Sequence, residues 1–503
     1  MISLFLSGLC SQVFTQLLLQ LLPSELKPHK RSWRQCLLQI SIVAFIYSLF
    51  LGLTTRPYLS AVLSLALLVT LLVINQAKYK ALREPVVFSD IYLYLQVLTH
   101  PRLFLPFLNI PLTLTASLAG ISVLGIIIAI EPSNTSASLT AIYLFSLISL
   151  LMSGFIIFKL SISTRLCFDP IRDTQTSGLI NTLVIHAIQA SFSKSRQLFL
   201  LQTQQPQFKP YKLNKQPDLI VIQSESFFDV RELSPSIKRK VLENFDCIKQ
   251  ASVTYGKLVV PAWGANTLRS EYAFLSGIPN QELQHYRYNP YQFLPKQPLP
   301  SLVSQLKSEG YYCICIHPNE AAFFKRDQVF PFLGFDDFID IKAFAEAESV
   351  GPYISDKAVY LKIRETLKNR DQQKPLFIFV ITMENHGPLH LESINETDIT
   401  EYYHPTPIEQ YHDLTVYLKH LHNADKMLKA LIDTLAANPQ ETLLCWYGDH
   451  IPSMPDVYKQ LEFQGANTDY LIWSNKTKSA LKYPINKDIS ELGFTLFELM
   501  QAK

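Results

Sequence analysis

Seven cysteines are scattered through the 503 residues, at positions 10, 36, 167, 247, 313, 315 and 445. An odd number with no regular spacing argues against a disulfide framework and against a cysteine-type zinc site. The chain also lacks a charge imbalance. Lys and Arg number 45 against 42 Asp and Glu, too small a surplus for a nucleic-acid footprint. The apolar run from Ile2 has no basic region before it and no small-residue cleavage site after it, so it reads as an anchor rather than a signal peptide. The long apolar runs contain few acids or bases, which a transporter or proton relay would carry.

What is present is unevenly distributed, with apolar residues crowded into the first third and charges into the rest. Five segments approach the roughly 17–25 residues that span a bilayer: Ile2–Leu22, Cys36–Leu53, Tyr58–Ile74, Ile110–Ile130 and Ala137–Leu160. Thr54-Thr55-Arg56-Pro57 makes the second and third a hairpin. Lys27, Lys30, Arg31 and Arg34 in the first loop, and Lys78, Lys80, Arg83 and Arg102 in the third, favour a cytoplasmic position for both loops. With five spans, that places the C-terminal part in the cytoplasm too. Asn75–Asn109 reads as an interfacial helix or an ordinary amphipathic loop helix. The division is then residues 1–160 for the transmembrane domain, 161–216 for a linker with a helix over Asn181–Leu200, and 217–503 for a soluble domain. Gln202–Gln216, rich in Gln, Lys and Pro, is the linker proper.

In the soluble part, strand-like and helix-like runs alternate. Leu219–Gln223, Tyr311–Ile316, Leu376–Thr382, Thr442–Tyr447 and Tyr470–Trp473 are predicted strands. Leu302–Glu309, Asp356–Leu367, Leu414–Leu435 and Ile489–Met500 are predicted helices. The alternation predicts an α/β fold with a largely parallel central sheet. Cys313-Ile314-Cys315 falls in one strand, so both thiols face one side, as packing.

Four places put metal ligands or a nucleophile at strand or helix ends. Glu225 ends the apolar strand Leu219–Gln223 in Gln223-Ser224-Glu225-Ser226-Phe227, where a helix cap or surface acid is the plain reading. Thr267 stands in Gly264-Ala265-Asn266-Thr267-Leu268-Arg269-Ser270-Glu271, before an amphipathic helix. A hydroxyl there is an ordinary N-cap, or a nucleophile at a helix end that favours phosphate. His386 follows the strand Leu376–Thr382 in Asn385-His386-Gly387-Pro388. Asp449-His450 follows the strand Thr442–Tyr447 and a glycine, as a capped turn or as one oxygen and one nitrogen ligand. One Glu, one Thr, one Asp and one His make an oxygen-rich set that suits Mn or Mg better than a structural zinc.

These blocks resemble the lipoteichoic acid synthase and phosphoglycerol transferase branch of the sulfatase–alkaline phosphatase superfamily, over essentially the whole chain. The resemblance implies five membrane helices joined to an extracytoplasmic sulfatase-like domain in a bacterial cytoplasmic membrane, against the reading of the basic loops. It implies that Glu225, Thr267, Asp449 and His450 bind one Mn ion, with Thr267 as nucleophile. It further implies that His386, His317, Phe324 and Arg326 contact the substrate, the last three through His317 and the block Phe323-Phe324-Lys325-Arg326-Asp327-Gln328-Val329-Phe330. Ser355-Asp356-Lys357 matches a family segment to which no role is given. The chain departs at Leu268-Arg269, where lipoteichoic acid synthases carry Ser and Asp, and at Phe324, where they use Trp. It has no Cys or Ser followed by Pro and Arg, which the formylglycine sulfatases need. The implied reaction passes glycerophosphate from phosphatidylglycerol through Thr267 to an envelope glycan or polyglycerophosphate acceptor. A phosphodiesterase on the same scaffold and a non-catalytic glycolipid-binding membrane protein are the alternatives.

Overall fold

The structure is a computed structural model that describes residues 2–28, 30–94, 110–131, 136–208, 213–371, 373–407, 411–476 and 483–501. The chain divides into two units, Met1–Gln197 and Leu198–Lys503.

The first unit is helical. Among the described residues, four helices are long and apolar enough to cross a membrane: Trp33–Thr54, Pro57–Leu82, and the two built on Thr113–Ile130 and Leu139–Ser163, with mean hydropathies of 2.2 to 2.3. The predicted first span forms a helix over Ile2–Leu19, shorter than these four. Ser32 starts the helix Trp33–Thr54 with a capping box to Gln35, and Thr55 ends it with a left-handed turn at φ 57°. That helix meets the one over Ser136–Ser163 along small residues, which let two backbones approach. Ser48 Oγ donates to Ser149 Oγ at 2.7 Å, and a Cβ on Gly52 would stand 2.9 Å from Ser146 Oγ. Lys78, counted from sequence as a basic loop residue, lies inside the helix Pro57–Leu82. Its ammonium is buried against Glu84 at 2.7 Å and Asp90 at 2.6 Å. Of the predicted interfacial helix, the structure describes one short helix, Asp90–Tyr94; residues 95–109 lie outside the described residues. The helix expected over Asn181–Leu200 is two, Leu179–Ala190 and Ser193–Gln204. The second runs into the stretch read as linker.

The second unit is built on an eight-stranded sheet in the order β10-β2-β9-β8-β1-β7-β3-β4. The ten strands are β1 (Asp218–Ser224), β2 (Thr254–Val259), β3 (Tyr312–Ile316), β4 (Asp337–Ile339), β5 (Ser349–Val350), β6 (Tyr353–Ile354), β7 (Leu376–Ile381), β8 (Thr442–Gly448), β9 (Thr468–Ser474) and β10 (Lys487–Asp488); β5 and β6 form a separate hairpin. All five predicted strands are present. β8, β1, β7, β3 and β4 run parallel, while β9 is antiparallel to β8 and β2. The central strands are apolar throughout because both faces are covered, as in parallel sheets generally. Ile220, Ile222, Leu444 and Trp446 pack under the helix His412–Ala436 on one face. Leu219, Val221, Leu443, Cys445 and Tyr447 pack on the other, against the helices Thr267–Ser276, Leu302–Ser308 and Ile489–Gln501. Cys313 and Cys315 join that second face fully buried, as packing. The pattern did not reveal β2, β4 and β10. β2 alternates buried and half-exposed residues and includes Lys257 and Gly256. A Cβ on Gly256 would stand 2.2 Å from the Ile485 carbonyl oxygen, so the strand needs a glycine there.

Gly448 has the same constraint more sharply: a Cβ there would fall 1.8 Å from the Phe227 carbonyl oxygen. Gly448→Ala therefore forces backbone apart at the carboxyl end of the central strands. We expect a loss of about 3 kcal/mol of stability, read as a lower denaturant midpoint of the full chain; an unchanged midpoint would contradict this packing.

Candidate active site

The strand register builds the site. Ser224 of β1 lies opposite Gly448 of β8, so the residues that follow, Glu225 and Asp449, leave the sheet side by side at its carboxyl end. Ligands in open α/β sheets collect there. His317 follows β3, and Thr382–His386 follow β7. Five predicted site residues thus come from four adjacent strand ends.

The helix Thr267–Ser276 supplies the hydroxyl. Thr267 is its first helical residue and not its cap. Asn266 precedes it in a left-handed conformation, φ 68°, and makes no side-chain capping bond. Two ties fix this helix to the Asp449 segment. Ser270 Oγ donates to the Asp449 carbonyl oxygen at 2.6 Å, and Gly264 N donates to the Ile451 carbonyl oxygen at 3.0 Å. Thr267 is itself buried at the start of this helix, close enough to the Asp449 carboxylate to oppose the rise in its pKa. Ser226, directly after Glu225, also has a positive φ, 54°. Non-glycine residues held in this region cost about 1–3 kcal/mol and cluster at functional sites.

Glu225, Asp449 and His450 are all buried, and each offers a ligand atom within 4.8 Å of the other two. His450 Nδ1 lies 3.0 Å from the carbonyl oxygen of Ile451, to which it can only donate. In the neutral imidazole the lone pair is therefore on Nε2, which faces Glu225 Oε1 at 3.4 Å and Asp449 Oδ2 at 3.3 Å. Asp449 Oδ1 accepts from the backbone N–H groups of Ser226 and His450 at 2.9 and 3.0 Å. Asp449 Oδ2 and His450 Nε2 are left buried without a hydrogen-bond partner. Three electron-rich atoms converging in a dry site repel one another, and a cation between them reverses the sign. The residues present therefore fit a divalent metal. Burial, with Glu225 adding its charge, pushes the Asp449 carboxyl up to about 7. Burial opposes charge on the His450 imidazole, but Asp449 and Glu225 outweigh it and raise its pKa.

The other predicted residues lie around this cluster. His386 is half-buried, with Nδ1 2.6 Å from the Gly387 carbonyl oxygen and its ring edge-on to Tyr353 at 5.1 Å. Asn385 Nδ2 donates to the Glu225 carbonyl oxygen at 2.9 Å, joining the β7 and β1 ends. Arg326 is fully buried. Its guanidinium stacks on Phe324 at 5.2 Å and contacts Glu271 and His317. Phe324 and Lys325 are both left-handed, at φ 57° and 60°.

Sequence reasoning missed the ion group behind the His386 turn. His420, on the helix His412–Ala436, is fully buried between two acids. Its Nδ1 lies 3.3 Å from Glu384 Oε1 and its Nε2 3.0 Å from Glu392 Oε1. Glu384 and Glu392 flank the turn that carries His386. Glu384 also accepts from Asn423 Nδ2 at 2.6 Å and from the backbone N–H of Asp356 at 2.6 Å. Burial disfavours the charged imidazole, but the bonds to Glu384 and Glu392 win and raise His420 to about 9. Asp356 is fully buried beside Glu384, and burial pushes its carboxyl well above the usual range.

With this geometry in place, comparison with known proteins assigns the chain. A sulfatase family model matches residues 217–502. The chain belongs to the sulfatase family. Among the relatives of this sulfatase-family chain is the capsular polysaccharide biosynthesis protein RkpI of Rhizobium meliloti (strain 1021), 26% identical over 87% of this chain and 81% of that protein. Lipoteichoic acid synthase 1 of Bacillus subtilis (strain 168) is 24% identical over 31% of this chain and 23% of its own length. Of solved structures, the integral membrane protein lipooligosaccharide phosphoethanolamine transferase A from Neisseria meningitidis shares the fold. Its TM-score is 0.55 at 12% identity, covering 94% of this chain and 96% of that one.

Two outcomes test this site. Mn²⁺ at a hundredfold excess over its Kd should stabilise the chain by about 2.7 kcal/mol in thermal denaturation, and the Asp449→Asn variant should lose that gain. For His420, the folded pKa of about 9 lies above the unfolded value of about 6.5. Its stabilisation is therefore complete below pH ~6.5 and is lost as pH rises through about 9. His420→Gln should flatten that alkaline decline in denaturation midpoints taken from pH 6 to 10; an identical decline in both proteins would contradict it.

Proposed function

We propose that the chain is a membrane-anchored, metal-dependent phosphoglycerol transferase. It moves glycerophosphate from phosphatidylglycerol to an envelope glycan or polyglycerophosphate acceptor, with the catalytic domain outside the cytoplasm. The observation that carries this reading is a buried cluster of metal-ligand type tied, through Ser270 Oγ and the Asp449 carbonyl oxygen, to the helix that begins with Thr267. A nucleophile needs both activation and an electropositive place for the phosphate, and a helix N-terminus beside a cation supplies the two.

Glu225, Asp449 and His450 would hold the metal, with Thr267 as fourth ligand; Mn²⁺ or Mg²⁺ suits this oxygen-rich set. A bound divalent cation lowers the pKa of a coordinated hydroxyl and offsets charge on phosphoryl oxygens. Thr267 Oγ1 attacks the phosphorus of the lipid headgroup, the bond to the diacylglycerol oxygen breaks, and glycerophosphate stays on the threonine. An acceptor hydroxyl then attacks the same phosphorus and releases Thr267. His386 meets the developing charge on the phosphoryl oxygens, Arg326 grips the phosphate equally in the bound lipid and in the transition state, and Phe324 walls the glycerol. The apolar helices suit a lipid donor, whose headgroup lies at a bilayer surface. Similarity to a capsular polysaccharide biosynthesis protein over 87% of the chain supports a glycan as acceptor.

Thr267→Ala tests the assignment. Diacylglycerol release from phosphatidylglycerol should fall at least ~1000-fold while the folded fraction stays unchanged; undiminished release would refute Thr267 as nucleophile. Glycerophosphate labelled in the headgroup separates transfer, which yields a labelled polymer or glycan, from hydrolysis, which yields free label.

A further inference from the structure

Arg326 is expected to grip substrate phosphate, yet it is fully buried and ion-paired inside the protein. Its partner is Glu271, on the same helix as Thr267 and four residues later, so both side chains lie on one helical face. Glu271 is itself fully buried. Arg326 Nε lies 3.0 and 3.2 Å from its two carboxylate oxygens, and Nη2 lies 2.9 Å from Oε2. Tyr291 OH donates to Glu271 Oε1 at 2.8 Å, and Gln223 Nε2 approaches Oε2 at 3.5 Å. Tyr447 OH holds Gln223 in turn, donating to its Oε1 at 2.7 Å. On the far side of the guanidinium, Nη1 lies 3.2 Å from His317 Nε2. His317 Nδ1 donates to the Ile381 carbonyl oxygen at 3.1 Å, so Nε2 is the acceptor and both ring nitrogens are spent on protein atoms.

A buried ion pair is poor value as a source of stability, since apolar residues of the same volume would hold the fold as well. This one does something an apolar pair cannot. It fixes the plane of a guanidinium from two edges and leaves one N–H on each terminal nitrogen uncommitted. It also ties that guanidinium to the helix that begins with Thr267.

We propose that Glu271 is the positioning residue for Arg326, with His317 as its second support, and that the two set the fork that binds the substrate phosphate. The proposal rests on the phosphoglycerol reading above for the identity of the substrate but not for the existence of the fork.

The test uses the full-length protein in detergent with Mn²⁺. Glu271→Gln keeps the shape and removes the charge. It should raise the KM for phosphatidylglycerol at least ~10-fold, leave kcat within about threefold, and leave Mn²⁺ affinity unchanged, the pattern of lost ground-state binding. In an Arg326→Gln background the same change should alter KM less than about twofold, because its only route of action is gone. A KM unmoved by Glu271→Gln, a parallel loss of Mn²⁺ affinity, or a full additional effect in the Arg326→Gln background would each overturn the proposal. If Glu271→Gln does not fold, Tyr291→Phe removes one of the bonds that hold Glu271 and leaves the ion pair. It should raise KM about two- to fourfold at constant Mn²⁺ affinity, and no change in KM would overturn the proposal. Failure of the phosphoglycerol reading would show separately, as absence of diacylglycerol release by the unaltered protein. In that case Mn²⁺-dependent binding of inorganic phosphate replaces KM as the readout. The unaltered protein should bind it at least ~10-fold more tightly than Glu271→Gln, and equal affinities would refute the positioning role.

Discussion

The parallel pairing of β1 with β8 governs everything at this site. With Ser224 opposite Gly448, the two strands end in step and deliver Glu225 and Asp449 to adjacent points. A slip of one residue would turn each side chain to the opposite face and separate the acids. The register holds because every residue of both strands is buried. Gly448 matters for the same reason: its missing side chain lets the Phe227 carbonyl oxygen pass where any Cβ would sit. The helix that carries Thr267 then registers against this pair, through Ser270 and the Asp449 backbone. The cluster of Glu225, Asp449 and His450, the Thr267 hydroxyl and the Arg326 guanidinium are successive layers on one strand alignment.

Much of this could be read from the chain. The apolar runs of β1, β7 and β8 are short, unbroken and aromatic or β-branched, and each ends abruptly in polar residues. A buried parallel strand followed by a site has that signature. The resemblance of short blocks then named Glu225, Thr267, Asp449 and His450, and the structure places Glu225, Asp449 and His450 within one small volume and Thr267 at the start of the helix that Ser270 ties to Asp449. The strands at one end of the sheet were harder. β2 and β10 carry Lys257 and Lys487 and include half-buried residues, so their composition differs little from loop. The break between the helices Leu179–Ala190 and Ser193–Gln204 was hidden because residues on both sides favour a helix.

Other parts could not be read from pattern. Glu271 stands inside a motif used for its threonine, and an acid in a helix is by default solvated. Its partner Arg326 lies 55 residues away. His420 looks like one polar residue on an amphipathic helix, but it faces inward between acids 36 and 28 residues distant. Such pairings depend on which side of a helix meets the sheet and on loop paths that periodicity does not encode. Both hidden networks lie directly behind residues that the pattern did identify.

The helix His412–Ala436 gives this arrangement a further meaning. One of its residues, Asp425, accepts the backbone N–H groups of Asn244 and Phe245 at 3.1 and 2.7 Å and so caps the helix Glu243–Gln250. Another, His420, holds both ends of the turn that bears His386. The same helix fills one face of the sheet. A loop at the mouth of a site is ordinarily free to open alone, as a low-stability unit of its own. Here the turn is fastened to a helix that is itself buried on the sheet, so loosening it means disturbing the core.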